Sequence, residues 1–233
     1  MPGGKEINMD PWVAFVDALS GRFRRRRSRI LRERCPDLPR LRVLDLGGSR
    51  HFWEQMPEDM IPADLTLLNI EDDGSARSHT GRLQHLKVEL YDGTRIPYPD
   101  GHFDVLICNS VIEHVPPAQR AHFCSEVRRV CKRYFIQTPA YAFPIEPHFV
   151  LPAIHWLPRP IGRRFIRFGL WALLSRPTPE KMQSYFDNTH LLRARDMRAL
   201  LPDAHLVRER LFGFTKSYTA HGSGLGALPG AWP

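Results

Sequence analysis

Cysteine is scarce in this chain and disconnected. Cys35, Cys108, Cys124 and Cys131 form no Cys-x-x-Cys pair and no metal-type spacing with histidine, which argues against a disulfide scaffold and a zinc module. Cys108 falls in an apolar run, where a free thiol is expected to behave as a small hydrophobe. No apolar run approaches the ~18 residues that a membrane-spanning helix needs. The opening residues, Met1 to Asp10, lack the basic-then-apolar pattern of a secretory leader, so a cytoplasmic protein is expected. There is no internal repeat, and no three-histidine or carboxylate-rich set points to a metal.

Acidic residues are the other shortage. Asp and Glu number 25 against 33 Lys and Arg, for a formal charge of +8. Such an excess suits nucleic acid, an anionic membrane surface or an acidic substrate, and its distribution is uneven. One group of arginines runs from Arg22 to Arg34, and a second comprises Arg159, Arg163, Arg164, Arg167 and Arg176. At 233 residues the chain can bury one sizeable core with an added element.

What is present has a clear rhythm. Asp10-Pro11 suits a helix start, and Trp12, Phe15, Val16 and Leu19 follow at helical spacing, giving a leading basic helix within residues 1–40. Apolar strands are then expected at Leu41–Leu46, Leu65–Ile70, His85–Leu90, Phe103–Cys108 and Tyr134–Gln137. A helix opening at Pro116-Pro117 carries a stripe of Phe123, Val127 and Val130. This alternation predicts a parallel sheet of βαβ units. Residues 139–179 form an insert rich in proline and aromatics, with a basic apolar helix expected over Ile161–Leu174. A last helix over Asp196–Leu201 precedes a hairpin, His205–Phe212 and Phe214–Thr219, that closes a domain spanning 41–221. Residues 222–233 are expected to be a flexible tail.

The first strand ends in Asp45-Leu46-Gly47-Gly48-Ser49, a turn that lets backbone approach a ligand. It lacks the G-x-G-x-x-G spacing of a dinucleotide site, which argues against NAD and for a nucleoside ligand without a pyrophosphate. The second strand ends in Asn69-Ile70-Glu71. Asn69 and Glu71 point the same way on an extended chain, where a carboxylate suits ribose hydroxyls, although a solvated loop acid beside Asp72 and Asp73 fits as well.

Next come Tyr91-Asp92, Pro97-Tyr98-Pro99-Asp100 and Phe103-Asp104, followed by an apolar strand ending in Asn109-Ser110-Val111-Ile112-Glu113-His114-Val115. This order resembles class I S-adenosylmethionine-dependent methyltransferases, most closely the type 11 branch that acts mainly on small molecules. The resemblance covers Leu41 to Pro139 and continues in Phe143–Phe149, His155–Pro158 and Glu209–Ser217. It implies a Rossmann-like, seven-stranded, mostly parallel sheet with a C-terminal antiparallel hairpin and a helical insert after strand five. It also implies that Asp45, Gly47, Gly48 and Ser49 hold the methionine end of S-adenosyl-L-methionine, that Asn69 or Glu71 takes the ribose, and that Asp92 receives the adenine amino group. Asn109 and Ser110 would face the methyl. Ser49 and His51 stand where the family usually has glycine.

A sulfonium methyl is already activated, so the protein's part is in-line positioning and proton removal. Glu113 and His114 lie beside the methyl by analogy, with His114 a candidate general base or else a turn residue. Glu146 and His148 form a second pair, either catalytic or ordinary loop contacts. The expected acceptor is a small, glycan or lipid-linked molecule, met in the cytoplasm or on the inner membrane face. The insert would then be a lid, a membrane-lying helix, or an amphipathic helix packed on the core. Two other functions compete: a nucleic-acid methyltransferase using the basic leading helix, and a non-catalytic binding module of the same fold.

Overall fold

The computed structural model describes residues 21, 28–72 and 81–225. The expected helix start at Asp10, the residues Trp12 to Leu19, the arginines at 22–27 and the end of the tail lie outside them. The described chain divides into two compact units. One comprises Ile30–Phe143 with the segment from Asn188 onward, and the other contains Pro144–Asp187.

The first unit holds a seven-stranded sheet of order β3-β2-β1-β4-β5-β9-β8. Its strands are β1 (Arg42–Leu46), β2 (Asp64–Asn69), β3 (Lys87–Leu90), β4 (Phe103–Asn109), β5 (Cys131–Pro139), β8 (His205–Leu211) and β9 (Phe214–Ser223). The first five are mutually parallel, and β9 inserts antiparallel between β5 and β8. This is the Rossmann-like methyltransferase sheet with its closing hairpin, as the resemblance implied. Because alternate side chains leave a strand on opposite faces, Leu44, Leu46, Leu106 and Cys108 enter one core cluster. Val43, Val105, Ile107 and Trp53 enter the other. Helices α1 (Arg50–Glu54), α2 (Arg120–Val130) and α6 (Ala194–Leu200) complete the unit. The α2 stripe of Phe123, Val127 and Val130 is buried as expected, and all four cysteines are buried free thiols.

Two strands, β5 and β9, run well beyond the sequence expectation. β5 begins at Cys131 rather than Tyr134, and charged residues at its start are satisfied by ion pairs, Lys132 with Asp104 at 2.7 Å and Arg133 with Asp37 at 3.1 Å. β9 continues past Thr219 to Ser223, so the expected tail begins inside a strand. Gly222 permits this, since a Cβ there would lie 2.5 Å from the Tyr134 hydroxyl.

The Pro144–Asp187 unit contains a two-stranded hairpin, β6 (Ile145–Glu146) with β7 (Leu151–Pro152). It continues into α3 (Arg159–Phe165), a 3-10 turn over Ile166–Phe168, α4 (Leu170–Ser175) and α5 (Pro179–Asp187). Phe149, Ile154, Ile166, Met182 and Phe186 form its own core. The single helix expected over Ile161–Leu174 is corrected here to two. Gly169 breaks it with extended backbone, and the amide of Leu170 turns to the Phe149 carbonyl at 2.9 Å. A Cβ at Gly169 would sit 2.7 Å from that same carbonyl oxygen. Helix α5 was not expected from the sequence, although Thr178-Pro179 is a capping pattern and Thr178 Oγ1 accepts from the Lys181 amide at 3.2 Å.

Candidate active site

In an open parallel sheet, ligands sit beyond the carboxyl ends of the strands, where the order reverses. Here that point lies between β1 and β4, and both strands end in unusual backbone. Gly47 has φ +72°, and a Cβ on it would lie 2.4 Å from Val111 Cγ2. Ser110 has φ +56°. The two turns therefore approach too closely for a side chain at position 47.

Asp45 shares the face of Val43 and meets Trp53, whose indole Nε1 donates to Oδ2 at 2.7 Å. A Cβ on Gly48 would fall 2.0 Å from that oxygen, so only glycine lets the turn fold over the carboxylate. The Asp45 side chain is buried, and Oδ1 has no hydrogen-bond partner among the described residues. Burial pushes this carboxyl up to about 7, partly offset by the Trp53 hydrogen bond. A buried acceptor oxygen left unmade costs ~1–3 kcal/mol, which a cationic or N–H donor from a ligand would recover. The ammonium of a methionine moiety is such a donor, so the turn fits S-adenosylmethionine. Ser49 Oγ caps α1 by accepting from the Phe52 amide at 3.4 Å, which fixes the hydroxyl beside the turn.

On the other side of β1, Asn69 Nδ2 donates to the Gly48 carbonyl at 3.1 Å and so braces the glycine turn. Glu71 lies beyond the strand end, exposed. Asp92 is exposed, and its Oδ1 accepts from the amides of Thr94 and Arg95 at 2.8 and 3.2 Å. These bonds hold its carboxyl below the usual range. Ile70, between Asn69 and Glu71, is 65% exposed and within reach of Gly93, so it offers apolar surface beside Asp92 for an adenine ring. Nothing in the sequence marks it, because an apolar residue after a strand carries no polar group that points to a ligand. The segment Pro97–Asp100 is a bracket: Arg129 donates to the carbonyls of Ile96 and Tyr98 at 2.9 and 2.8 Å and pairs with Asp100 at 2.9 Å.

After β4, Asn109 precedes Ser110, whose amide donates to the Gln137 carbonyl at 2.9 Å and whose Oγ donates to Gln137 Oε1 at 3.2 Å. Glu113 is fully buried, and its Oε2 accepts from Thr138 Oγ1 at 2.9 Å, which ties the post-β4 loop to the end of β5. His114 Nδ1 lies 3.3 Å from Thr189 Oγ1. Arg120 holds this loop to the 188–190 segment, donating to the carbonyls of Val115 at 3.0 Å and His190 at 2.6 Å. Neither Arg120 nor Thr189 was singled out from sequence, because their partners are backbone atoms and a residue distant along the chain.

His148 belongs to the other unit. Its Nδ1 lies 2.6 Å from Glu146 Oε1, while Glu146 Oε2 accepts from the Phe149 amide at 2.8 Å. Burial alone would raise Glu146, but the His148 ring beside it, together with the Phe149 amide and His155, holds its carboxyl below the usual range. The ring edge of His148 packs against Tyr185, with centroids 5.5 Å apart. Glu146 and His148 thus form an oriented carboxylate–histidine dyad.

The family described as "Methyltransferase domain" matches residues 44–134, the stretch that carries the glycine turn and the post-β4 loop. No curated protein matches the chain. Among solved structures it is similar to magnesium protoporphyrin IX methyltransferase from Synechocystis PCC 6803 with bound S-adenosylhomocysteine (14% identity, 95% of this chain and 90% of that one, TM-score 0.56). It is likewise similar to a protein of Pyrococcus horikoshii OT3 (16%, 94% and 93%, TM-score 0.55). A third similar structure is geranyl diphosphate C-methyltransferase from Streptomyces coelicolor A3(2) (12%, 80% and 73%, TM-score 0.50). Residues 44–134 thus match a methyltransferase domain, and the solved structures share the fold of the chain.

Proposed function

We propose that this enzyme methylates an oxygen or nitrogen atom of a small-molecule, glycan or lipid-linked acceptor, and that His148 takes the acceptor's proton. The observation that carries the reading is the Glu146–His148 dyad, at 2.6 Å. The Nδ1–H of His148 donates to the ionised Glu146, which leaves Nε2 as the basic nitrogen of the ring and stabilises the imidazolium that forms on proton uptake. An amine or hydroxyl acceptor must lose a proton, so an oriented base has a task here. S-adenosylmethionine, when bound, supplies a methyl already activated on sulfur. Asp45, Gly47 and Gly48 would grip its methionine end, with Asn69 as a brace and Ser49 capping α1 beside the turn. Glu71 is the group for the ribose, Asp92 and Ile70 for the adenine, and Asn109 and Ser110 for the methyl side. Glu113 positions the loop that presents His114. The four buried free thiols suit a reducing cytoplasmic location.

The test is release of S-adenosylhomocysteine in the presence of fractionated small-molecule and lipid extracts. In His148→Asn, kcat is expected to fall roughly 100-fold or more, with affinity for S-adenosylhomocysteine unchanged. Glu146→Gln is expected to lower kcat less. Undiminished turnover in His148→Asn would transfer the proton to another group.

A further inference from the structure

Helix α3 and the 3-10 turn after it carry two adjacent apolar stripes, one buried and one exposed. The inward side is Gly162 and Ile166, both buried, and a Cβ at Gly162 would lie 2.6 Å from Phe186 Cζ. The outward side is Ile161, Phe165 and Phe168, spaced as one helical stripe and 45%, 48% and 55% exposed. Trp156, Leu157 and Leu173 of the same unit are exposed as well. A surface helix ordinarily turns its polar side outward, and a grouped apolar patch on a soluble unit marks something that covers it.

The charges around the stripe say what that is. Between Ile154 and Asp187 there are six basic residues and two acidic ones, Glu180 and Asp187. Asp187 is taken by Arg163, in a two-pronged pair at 2.9 and 2.8 Å. Arg159 is drawn inward, its guanidinium over the Phe186 ring at 4.9 Å and bonded to the Phe186 carbonyl. Arg164 and Arg167 remain exposed within the stripe and make no ion pair among the described residues, with the Arg167 guanidinium lying over the Phe168 ring at 4.8 Å. Beside them is a cleft of about 470 Å³ lined by Arg163, Arg164, Arg167, Met182 and Gln183. Aromatic and aliphatic side chains interleaved with unpaired arginines match a bilayer interface: rings enter the acyl boundary while guanidinium groups meet lipid phosphates.

We propose that the Ile161–Phe165–Phe168 face of the Pro144–Asp187 unit docks on an anionic lipid bilayer. This deepens the acceptor reading above by bringing the enzyme to lipid-linked acceptors, and its own test does not depend on methyl transfer. The full chain is sedimented with vesicles of phosphatidylcholine and with vesicles that also contain phosphatidylglycerol. Binding is expected only to the mixed vesicles. It should fall tenfold or more in Phe165→Ser/Phe168→Ser, and equally in Arg164→Gln/Arg167→Gln, while melting temperature and S-adenosylhomocysteine affinity stay unchanged. Three results would each overturn the proposal. The first is no vesicle binding by the wild type, including the case where it sediments as a dimer that the serine variant dissociates. The second is binding indifferent to phosphatidylglycerol, and the third is anionic binding that the serine variant retains. Turnover with a water-soluble acceptor is measured alongside, so vesicle binding without turnover removes only the acceptor reading, and turnover without vesicle binding removes only this one.

Discussion

The indole of Trp53 donates to the carboxylate of Asp45 at 2.7 Å, and the pair is buried where β1 delivers the chain to the glycine turn. The bond satisfies one carboxylate oxygen and leaves the other without a partner. Burial raises this carboxyl to about 7, whereas it would titrate near the ordinary 3.8 in the unfolded chain. A raised pKa means that the folded state keeps a proton the unfolded state has lost. The ligand-free protein therefore loses stability as pH rises from about 4 through about 7, by up to roughly 4 kcal/mol. Asp45→Asn should flatten that loss and melt higher than the wild type at pH 8. It should also weaken S-adenosylhomocysteine binding, read by calorimetry. Unchanged affinity would move the methionine contact to another group.

His221 in β9 works with the opposite sign. It is buried, stacks on Phe135 with centroids 5.7 Å apart, and has its Nε2 3.2 Å from Nδ1 of His205. Burial, then His205 and Arg34, lowers it from 6.5 to about 4. The unfolded chain binds this proton first, so stability falls as pH drops from about 6.5 towards about 4, by on the order of 1–2 kcal/mol. His221→Gln should remove that contribution, so its thermal stability relative to the wild type should improve as pH falls between those limits. Because Asp45 and His221 slope against each other there, the double variant with Asp45→Asn should be the least pH-sensitive of the set. A parallel shift of all four curves would refute the assignment.

The two glycines of the turn fail differently when replaced. Gly47→Ala meets Val111 at 2.4 Å and places a side chain at φ +72°, whereas Gly48→Ala drives into the Asp45 carboxylate. Val111→Ala should recover part of the loss in Gly47→Ala, since it removes the contact though not the left-handed backbone, which costs about 1 kcal/mol. It should recover nothing in Gly48→Ala. Equal rescue of both, in melting temperature and cofactor affinity, would contradict the geometry.

Arg120 offers a test of the post-β4 loop. Its fork reaches the carbonyls of Val115 and His190, and a lysine cannot span both. Arg120→Lys should cost on the order of 1–3 kcal/mol in denaturant melts and loosen the loop that carries His114. Turnover should fall more than affinity for S-adenosylhomocysteine. The converse split would place Arg120 with the cofactor.

Much of the frame was legible because parallel strands buried on both faces read as plain apolar runs, and because ligand-facing candidates in such sheets lie where the strands end. Asp45, Asn109 and Ser110 could be named for that reason. The partners could not. Trp53 reaches Asp45 from α1, Asn69 braces the Gly48 carbonyl, and Thr138 meets Glu113 from the next strand. Each link is set by strand register rather than by local pattern. The break at Gly169 was hidden for a similar cause, since the decisive obstacle is the Phe149 carbonyl, far off in sequence.

The place of β9 between β5 and β8 bears on how the protein is made. β5 pairs along its length with β9, from Pro139 opposite Ser217 to Arg133 opposite Ser223. During synthesis β5 leaves the ribosome long before that partner exists. Its outer edge, rich in apolar residues such as Tyr134, Phe135 and Ile136, must stand open meanwhile, an invitation to edge-to-edge aggregation. Closing it requires pairing across a long stretch of chain, which slows folding. Loss of the last strand would thus cost more than a strand: it would leave the middle of the sheet exposed as a sticky rim.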